Sequence, residues 1–280
     1  MTRHKLLWSL THIQPRDQTD MQNPLKEQVW PPAPVNEIVR HSMRRRSLSV
    51  AAVEHLTPHT LRITLTGPDL ADFTSASPDD HIKIFLPGAD GVEVRRDYTP
   101  RRYSREATTL VLDFVTHQTG PAITWARAAR VGTRLDIGGP KGSRVIAGTV
   151  AQWLLVGDET ALPAIARRVE ELPAHATVTT IVAVSGLEDE QSMTTAARHD
   201  AHWVHRPMAQ ADQAQALVAA LGEVSIPPGT FVWVGAEAHV ARTVRQYLLQ
   251  ERCVPVQWMK VAGYWIMGQE NASVRDMADF

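Results

Sequence analysis

Four short strings in this chain hold residue types that could do chemistry. Arg96-Asp97-Tyr98-Thr99 places a guanidinium, a phenol ring and a hydroxyl within four positions, just after a strand-like run. Such a set can lay an aromatic ring on an isoalloxazine, bond the edge of that ring through the hydroxyl and grip a diphosphate bidentately. The same four residues also fit an edge strand with no ligand. His117-Gln118-Thr119-Gly120-Pro121-Ala122 opens a helical stretch that runs through Trp125 to Arg130. Pro121 suits the first helical turn, where free amides make an anion site; an ordinary capped helix is the other reading. Gly138-Gly139-Pro140-Lys141-Gly142-Ser143 permits close backbone approach to a ligand, or a tight turn. Gly157-Asp158-Glu159-Thr160-Ala161-Leu162-Pro163-Ala164 follows an apolar strand pattern, where a nucleotide-binding loop belongs. It carries no glycine-rich dinucleotide fingerprint, and acids are poor phosphate neighbours, so the nicotinamide end suits it better than the diphosphate. Asp158 or Thr160 as a helix cap explains part of the string.

The elements around these strings fall into two textures. From Ser47 to Phe114 the runs SLSVAAVEHL, TLRITLTG, HIKIFLPG and TTLVLDFV alternate with a period of two between Gly, Pro and Asp, which predicts antiparallel sheet closing into a small barrel. After Gly148 buried strands alternate with helices: WLLVG with ALPAIARRVEEL, TVTTIVAV with a polar helix through Ala197, HWVHR with QADQAQALVAAL, and TFVWVG with EAHVARTVRQYLLQE. Four strand–helix units predict a parallel sheet with helices on its faces. In the first helix Leu162, Ile165, Val169 and Leu172 share one side, with Arg167, Arg168, Glu170 and Glu171 expected to face water. Residues 11–46 are polar and proline-rich, and Trp30-Pro31-Pro32-Ala33-Pro34 cannot propagate a helix or a central strand, so residues 1–44 read as a flexible extension. Arg44, Arg45 and Arg46, at the junction with the barrel, offer an anion-binding patch, but a solvated leader is the favoured reading. The expected division is 1–44 extension, 45–147 Greek-key β-barrel, 148–268 doubly wound α/β unit and 269–280 tail.

With 280 residues and 44% apolar content the chain can bury two cores. A formal net charge of −1 argues against a global basic field for nucleic acid or anionic membrane. A lone Cys253 cannot form an internal disulfide or hold an iron–sulfur cluster by thiolates, so a reducing cytoplasm fits. The run from Leu6 to Leu10 is too short for a signal-peptide core, and no stretch reaches the ~18 apolar residues of a membrane span. His199, His202 and His205 invite a zinc reading, but their spacing alternates strand faces and His199 is expected to end a helix, so no metal site is assigned. Cys253 reads as inert packing.

In order and spacing, SPDDHIKIFLPG, RDYTPRRY, LDFVTHQTGPAITWARAARVG, IGGPKGS, GDETALPAI, HWVHR, WVGAEA and GYWIMG resemble the siderophore-interacting proteins, NADPH-dependent ferric-siderophore reductases of the ferredoxin-reductase superfamily. The resemblance covers roughly residues 45 to 268. It implies FAD and NADPH (or NADH) as cofactors and a ferric siderophore as substrate; a ferredoxin-type donor is the alternative electron source, and a monomer is expected. By resemblance Tyr98 and Thr99 contact the flavin ring, Arg96 and Arg101 the diphosphate, and His117, Gly120, Pro121 and Ala122 lie under the phosphates. Gly142 and Ser143 complete the FAD site. Asp158, Glu159, Thr160 and Ala161 face the nicotinamide, with Gly235, Ala236 and Glu237 on a neighbouring loop and Tyr264 and Trp265 near the flavin.

Three departures from the family pattern stand out. Ile123 follows Gly-Pro-Ala where a small hydroxyl residue is usual, which assigns that phosphate hydrogen bond to Thr124 or to backbone. Ile266 and Met267 follow the Tyr-Trp pair where a basic residue is usual, so docking of an anionic chelate is assigned to Lys83, Lys141, Arg144 and Lys260. No Arg or Lys run follows Thr177 to Val184 to hold a 2′-phosphate.

Overall fold

The computed structural model describes residues 28–88, 91–116, 120–148, 150–269, 272–274 and 277. Seven antiparallel strands form the first sheet: β2 (Arg45–Thr57), β3 (Thr60–Thr66), β4 (Ile82–Pro87), β5 (Glu93–Tyr98), β6 (Arg102–Ser104), β7 (Thr109–Val115) and β8 (Arg134–Gly138). Their order is β5-β4-β8-β2-β3-β7-β6, in which β8 returns by a long connection to lie between β4 and β2, a Greek-key arrangement. Period-2 patterning sets the inner face: Ile63 and Leu65 of β3, Ile82 and Ile84 of β4, and Leu110 and Leu112 of β7 are buried in one cluster. Helix α1 (Pro121–Ala128) adds Ala122 and Ala126 to that cluster. Tyr98 on β5 and Phe114 on β7 belong to strands near opposite margins of the sheet, yet their rings lie 4.3 Å apart. The sheet is therefore rolled into a barrel, with α1 plugging it.

The second sheet is parallel, in the order β12-β11-β10-β13-β14, built from β10 (Gln152–Asp158), β11 (Thr177–Val184), β12 (Arg198–His205), β13 (Thr230–Glu237) and β14 (Met259–Trp265). Helices α2 (Leu162–Glu171), α3 (Gln215–Glu223) and α4 (Ala238–Gln250) cover its faces. Every residue of β13, and all of β10 after Gln152, is buried, as expected of central strands covered on both sides. The order reverses between β10 and β13, so the crevice at their carboxyl ends is the switch point where such sheets take ligands.

The Arg44–Arg46 run is not a solvated leader: Arg45 and Arg46 open β2, Arg46 is buried with its guanidinium on Asp69 O and Gly139 O, and Arg44 pairs with Asp69 and Asp72. Four further expectations need correction. The polar helix through Ala197 does not form: one 3-10 turn at Leu187–Asp189 is followed by extended chain that becomes β12, so His199 lies within a strand. Thr195 explains part of this, because its hydroxyl donates to Val169 O and accepts from Ala197 N, giving the backbone a local alternative to helix. The fifth strand β14 was legible only as an aromatic motif. Within the presumed extension, β1 (Val35–Arg40) pairs antiparallel with β9 (Gly142–Ala147), and Trp30 packs against Trp258, whose indole donates to Pro31 O at 3.1 Å. All six β1 residues are exposed, so no one-sided pattern announces it.

The fourth correction places the two sheets. Arg167 does not face water: it is buried, and its guanidinium donates to the Ser75 hydroxyl, Ser75 O and Pro100 O. Helix α2 thus sits between the parallel sheet and the barrel. Arg101 of the barrel meets Glu170 of the same helix in a bidentate pair.

Candidate functional site

Tyr98 ends β5, its half-buried ring leaning on Phe114 at an interplanar angle of 36°. Thr99 follows, and its hydroxyl is hydrogen-bonded to Tyr264 on β14. Burial drives the Tyr264 phenol well above its ordinary value, and Asp79, Asp158 and Asp80 add to the shift, so it stays neutral while its oxygen accepts from the Thr99 hydroxyl. Arg96 stands two residues before Tyr98, on the same face of the strand, with one nitrogen on Arg95 O.

Gly120 precedes α1 at φ 141, a conformation that favours glycine, and a Cβ there would meet nothing within 4 Å. Among the described residues no side chain caps α1, and Pro121 occupies its first turn. An open approach to uncapped amides is what a diphosphate requires, so this end of the barrel fits a flavin dinucleotide. Ile123 turns into the core, while Thr124 is exposed beside it on the same turn. His117 lies outside the described residues.

The carboxyl ends of β10 and β13 meet at Asp158. Its Oδ1 accepts from the amide and hydroxyl of Thr160, and its Oδ2 from Glu237 N at 2.8 Å and Trp265 Nε1 at 2.9 Å. One buried carboxylate thereby fixes three loops. Gly157 and Gly235 are register partners; a Cβ on Gly157 would stand 2.6 Å from Gly235 O on the neighbouring strand, and one on Gly235 2.5 Å from the Trp233 ring of its own strand. Both glycines serve close packing around Ala161, which is fully buried with Ala236. Glu237 caps α4 through His239 N and Val240 N, and also takes Met267 N.

Glu159, next to Asp158, is buried against Arg206 at 2.9 Å. Burial, then the Asp158 charge, push its carboxyl up to about 7 against the pull of Arg206. Arg206 was missed in the sequence; its only signal is a basic residue directly after HWVH, at the end of β12.

Several expected site residues are committed elsewhere. Arg101 is buried, with its two terminal guanidinium nitrogens on Glu170. Ser143 is buried, its hydroxyl shared among Asp80 (2.5 Å), His41 (2.7 Å) and Ala76 N (3.0 Å). Gly142 is required because a Cβ would stand 2.8 Å from Val39 O on β1. Lys260 places its ammonium 2.5 Å from Asp79, which Trp233 also bonds. Burial opposes ionisation of Asp79, yet Lys260 and these hydrogen bonds hold it down at about 2. Lys83 pairs with Asp97 at 2.7 Å, whereas Lys141 and Arg144 are exposed. The three histidines do not converge: His199 bonds Thr180, His202 bonds Asp200 and His205 bonds Glu190.

Residues 150–268 match the family model described as siderophore-interacting protein, and residues 49–95 and 88–144 match the siderophore-interacting FAD-binding domain. The chain belongs to the siderophore-interacting protein family. The NADPH-dependent ferric-chelate reductase of Escherichia coli K12 is 32% identical over 249 residues, covering 81% of this chain and 95% of that protein. A siderophore utilization protein from T. fusca superposes with a TM-score of 0.79 at 33% identity, covering 85% of this chain and 98% of the other. The siderophore-interacting protein SipS from Aeromonas hydrophila gives 0.72 at 28% identity, covering 81% and 93%. Family membership accounts for the rolled barrel joined to a parallel sheet. No helix among the described residues is long and apolar enough to cross a membrane.

Proposed function

We propose that the protein is a flavin-dependent ferric-siderophore reductase that takes a hydride from NADPH or NADH and passes electrons singly to a ferric chelate. The observation that carries this reading is the hydrogen bond of Thr99, beside Tyr98 on the barrel, with Tyr264 on β14, whose neighbour Trp265 is bonded to Asp158 at the switch point of the parallel sheet. FAD, when bound, supplies the conversion of a two-electron donor into one-electron steps.

The chain's own residues bind and orient. Tyr98 offers a ring to stack, Thr99 a hydroxyl at its edge, and Arg96 with the amides after Gly120 a diphosphate cradle. The Asp158–Ala161 turn, with Gly235, Ala236 and Glu237 beside it, shapes the nicotinamide edge. Catecholate or hydroxamate oxygens hold Fe(III) far better than Fe(II), so reduction releases the metal and no protein ligand to iron is needed. Lys141 and Arg144, both exposed, are the docking cations in this reading, with Lys83 beside its Asp97 partner. The protein acts as a monomer in a reducing cytoplasm, with a ferredoxin-type donor as the other electron source.

Anaerobic mixing tests the reading. The purified protein should show a flavin spectrum that bleaches with NADPH or NADH and recovers on addition of a ferric siderophore. Bleaching without recovery would assign another acceptor. Colour that persists under NAD(P)H but bleaches with reduced ferredoxin would move the donor, and colour that neither reductant removes would leave a non-turnover binder.

A further inference from the structure

A small cavity separates the β2–β3 turn of the barrel from the carboxyl edge of the parallel sheet. Its walls include His59, Val115, Glu159, Ser185 and Asp189, and about 10 Å³ is open to the centre of a water, room for a single molecule. Asp189 is buried here. Its Oδ2 lies 2.7 Å from His59 Nδ1, while its Oδ1 has no hydrogen-bond partner among the described residues. A buried carboxylate oxygen without a donor is costly unless water reaches it. The His59 side chain is 39% exposed, so one end of this array opens to solvent.

The reductase reading, on which this inference rests, leaves one proton to be disposed of. A hydride carries two electrons and one proton; two Fe(III) centres take the electrons, and the proton must leave. We propose that one water in this cavity bridges Glu159 to Asp189, and that Glu159, this water, Asp189 and His59 form the exit path for that proton. Glu159 takes up the proton left when the two electrons go to iron and passes one to the water; the water passes one to Asp189, Asp189 passes one to His59 and His59 delivers one to bulk, so each member returns to its starting state. The charged groups around Glu159 are Asp158 on β10, Arg206 after β12, and Asp189 and His59 across the cavity. A carboxyl titrating near 7 is poised for transfer in either direction at neutral pH.

Ferricyanide is the probe acceptor, since it takes one electron and no proton. In a single turnover with FAD-loaded enzyme, limiting NAD(P)H and a pH indicator, wild type should release one proton in step with ferricyanide reduction. Asp189→Asn should delay that proton roughly tenfold or more while bleaching by NAD(P)H, which needs no proton exit, keeps its rate. His59→Ala should show the same lag, and added imidazole should remove it in His59→Ala but not in Asp189→Asn. Proton release at the wild-type rate in both variants overturns the relay. Flavin-free protein gives a separate check: a crystal structure resolving waters should place one within hydrogen-bond distance of Asp189 Oδ1, and a dry oxygen there also overturns it. If NAD(P)H fails to bleach the flavin at all, the reductase reading fails, and the water position still decides whether this site is built.

Discussion

Asp158 Oδ2 accepts the Trp265 indole N–H at 2.9 Å across 107 residues of sequence, and the same oxygen takes Glu237 N. The C-terminal aromatic motif is thus held to the switch point by a buried carboxylate, not by packing alone.

Replacing Asp158 by Ala leaves the buried Glu237 amide and the half-buried Thr160 amide and Trp265 indole without their acceptor. The expected loss is about 3 kcal/mol, from one buried and two half-buried neutral donors left unsatisfied. Trp265→Phe removes one bond and should cost about 1 kcal/mol. Urea unfolding followed by circular dichroism measures both; equal losses for the two variants would deny Asp158 its role as a hub.

Tyr98→Ala should weaken FAD retention by roughly fivefold, the equivalent of the ~1 kcal/mol that an aromatic stack contributes beyond its burial. Stability without flavin should fall too, since the ring packs on Phe114. Equilibrium dialysis of FAD against both proteins decides it, and unchanged affinity would remove Tyr98 from the site.

Lys260→Met should act on stability before it acts on substrate. Its removal leaves the largely buried Asp79 without its ion-pair partner, with only the more distant Arg168 charge nearby, a loss of about 3 kcal/mol near neutral pH. Asp79 is depressed below its unfolded value, so its contribution is present above pH ~4 and fades as pH falls toward 2. Wild type and variant should therefore converge in acid unfolding, while the KM for a ferric chelate in the surviving folded enzyme stays the same. A raised KM with unchanged stability would restore Lys260 as a docking residue.

Glu159 runs the other way. Its folded value lies above its unfolded one, so the native state holds an extra proton between about pH 4.5 and 7, and stability falls as pH rises through that window. Glu159→Gln keeps the shape and an acceptor for Arg206 while removing the titration. Relative to that variant, wild type should lose about 2–3 kcal/mol between pH 5 and 8, measured by urea midpoints at each pH. A parallel pH profile for the two proteins would put the Glu159 carboxyl back in its ordinary range.

Local pattern determined much of this protein. Alternation in TLRITLTG and HIKIFLPG specifies barrel strands because a half-buried strand needs a two-residue period, and the unbroken apolar runs of β10 and β13 specify central parallel strands. The order of RDYT, GPA and GDETALPAI also carried the family, since those strings fix residue types wherever backbone must meet a ligand. Other features were set only by tertiary structure, because they depend on which charges meet. Nothing local says that Arg101 will find Glu170, that Lys260 will find Asp79, or that Arg167 will be buried, since a helix pattern shows an outer face without showing that a barrel covers it. The β1 strand escaped notice because neither of its faces is buried, and the Glu159–Arg206 pair because its two members are 47 residues apart and become neighbours only when β12 joins the sheet.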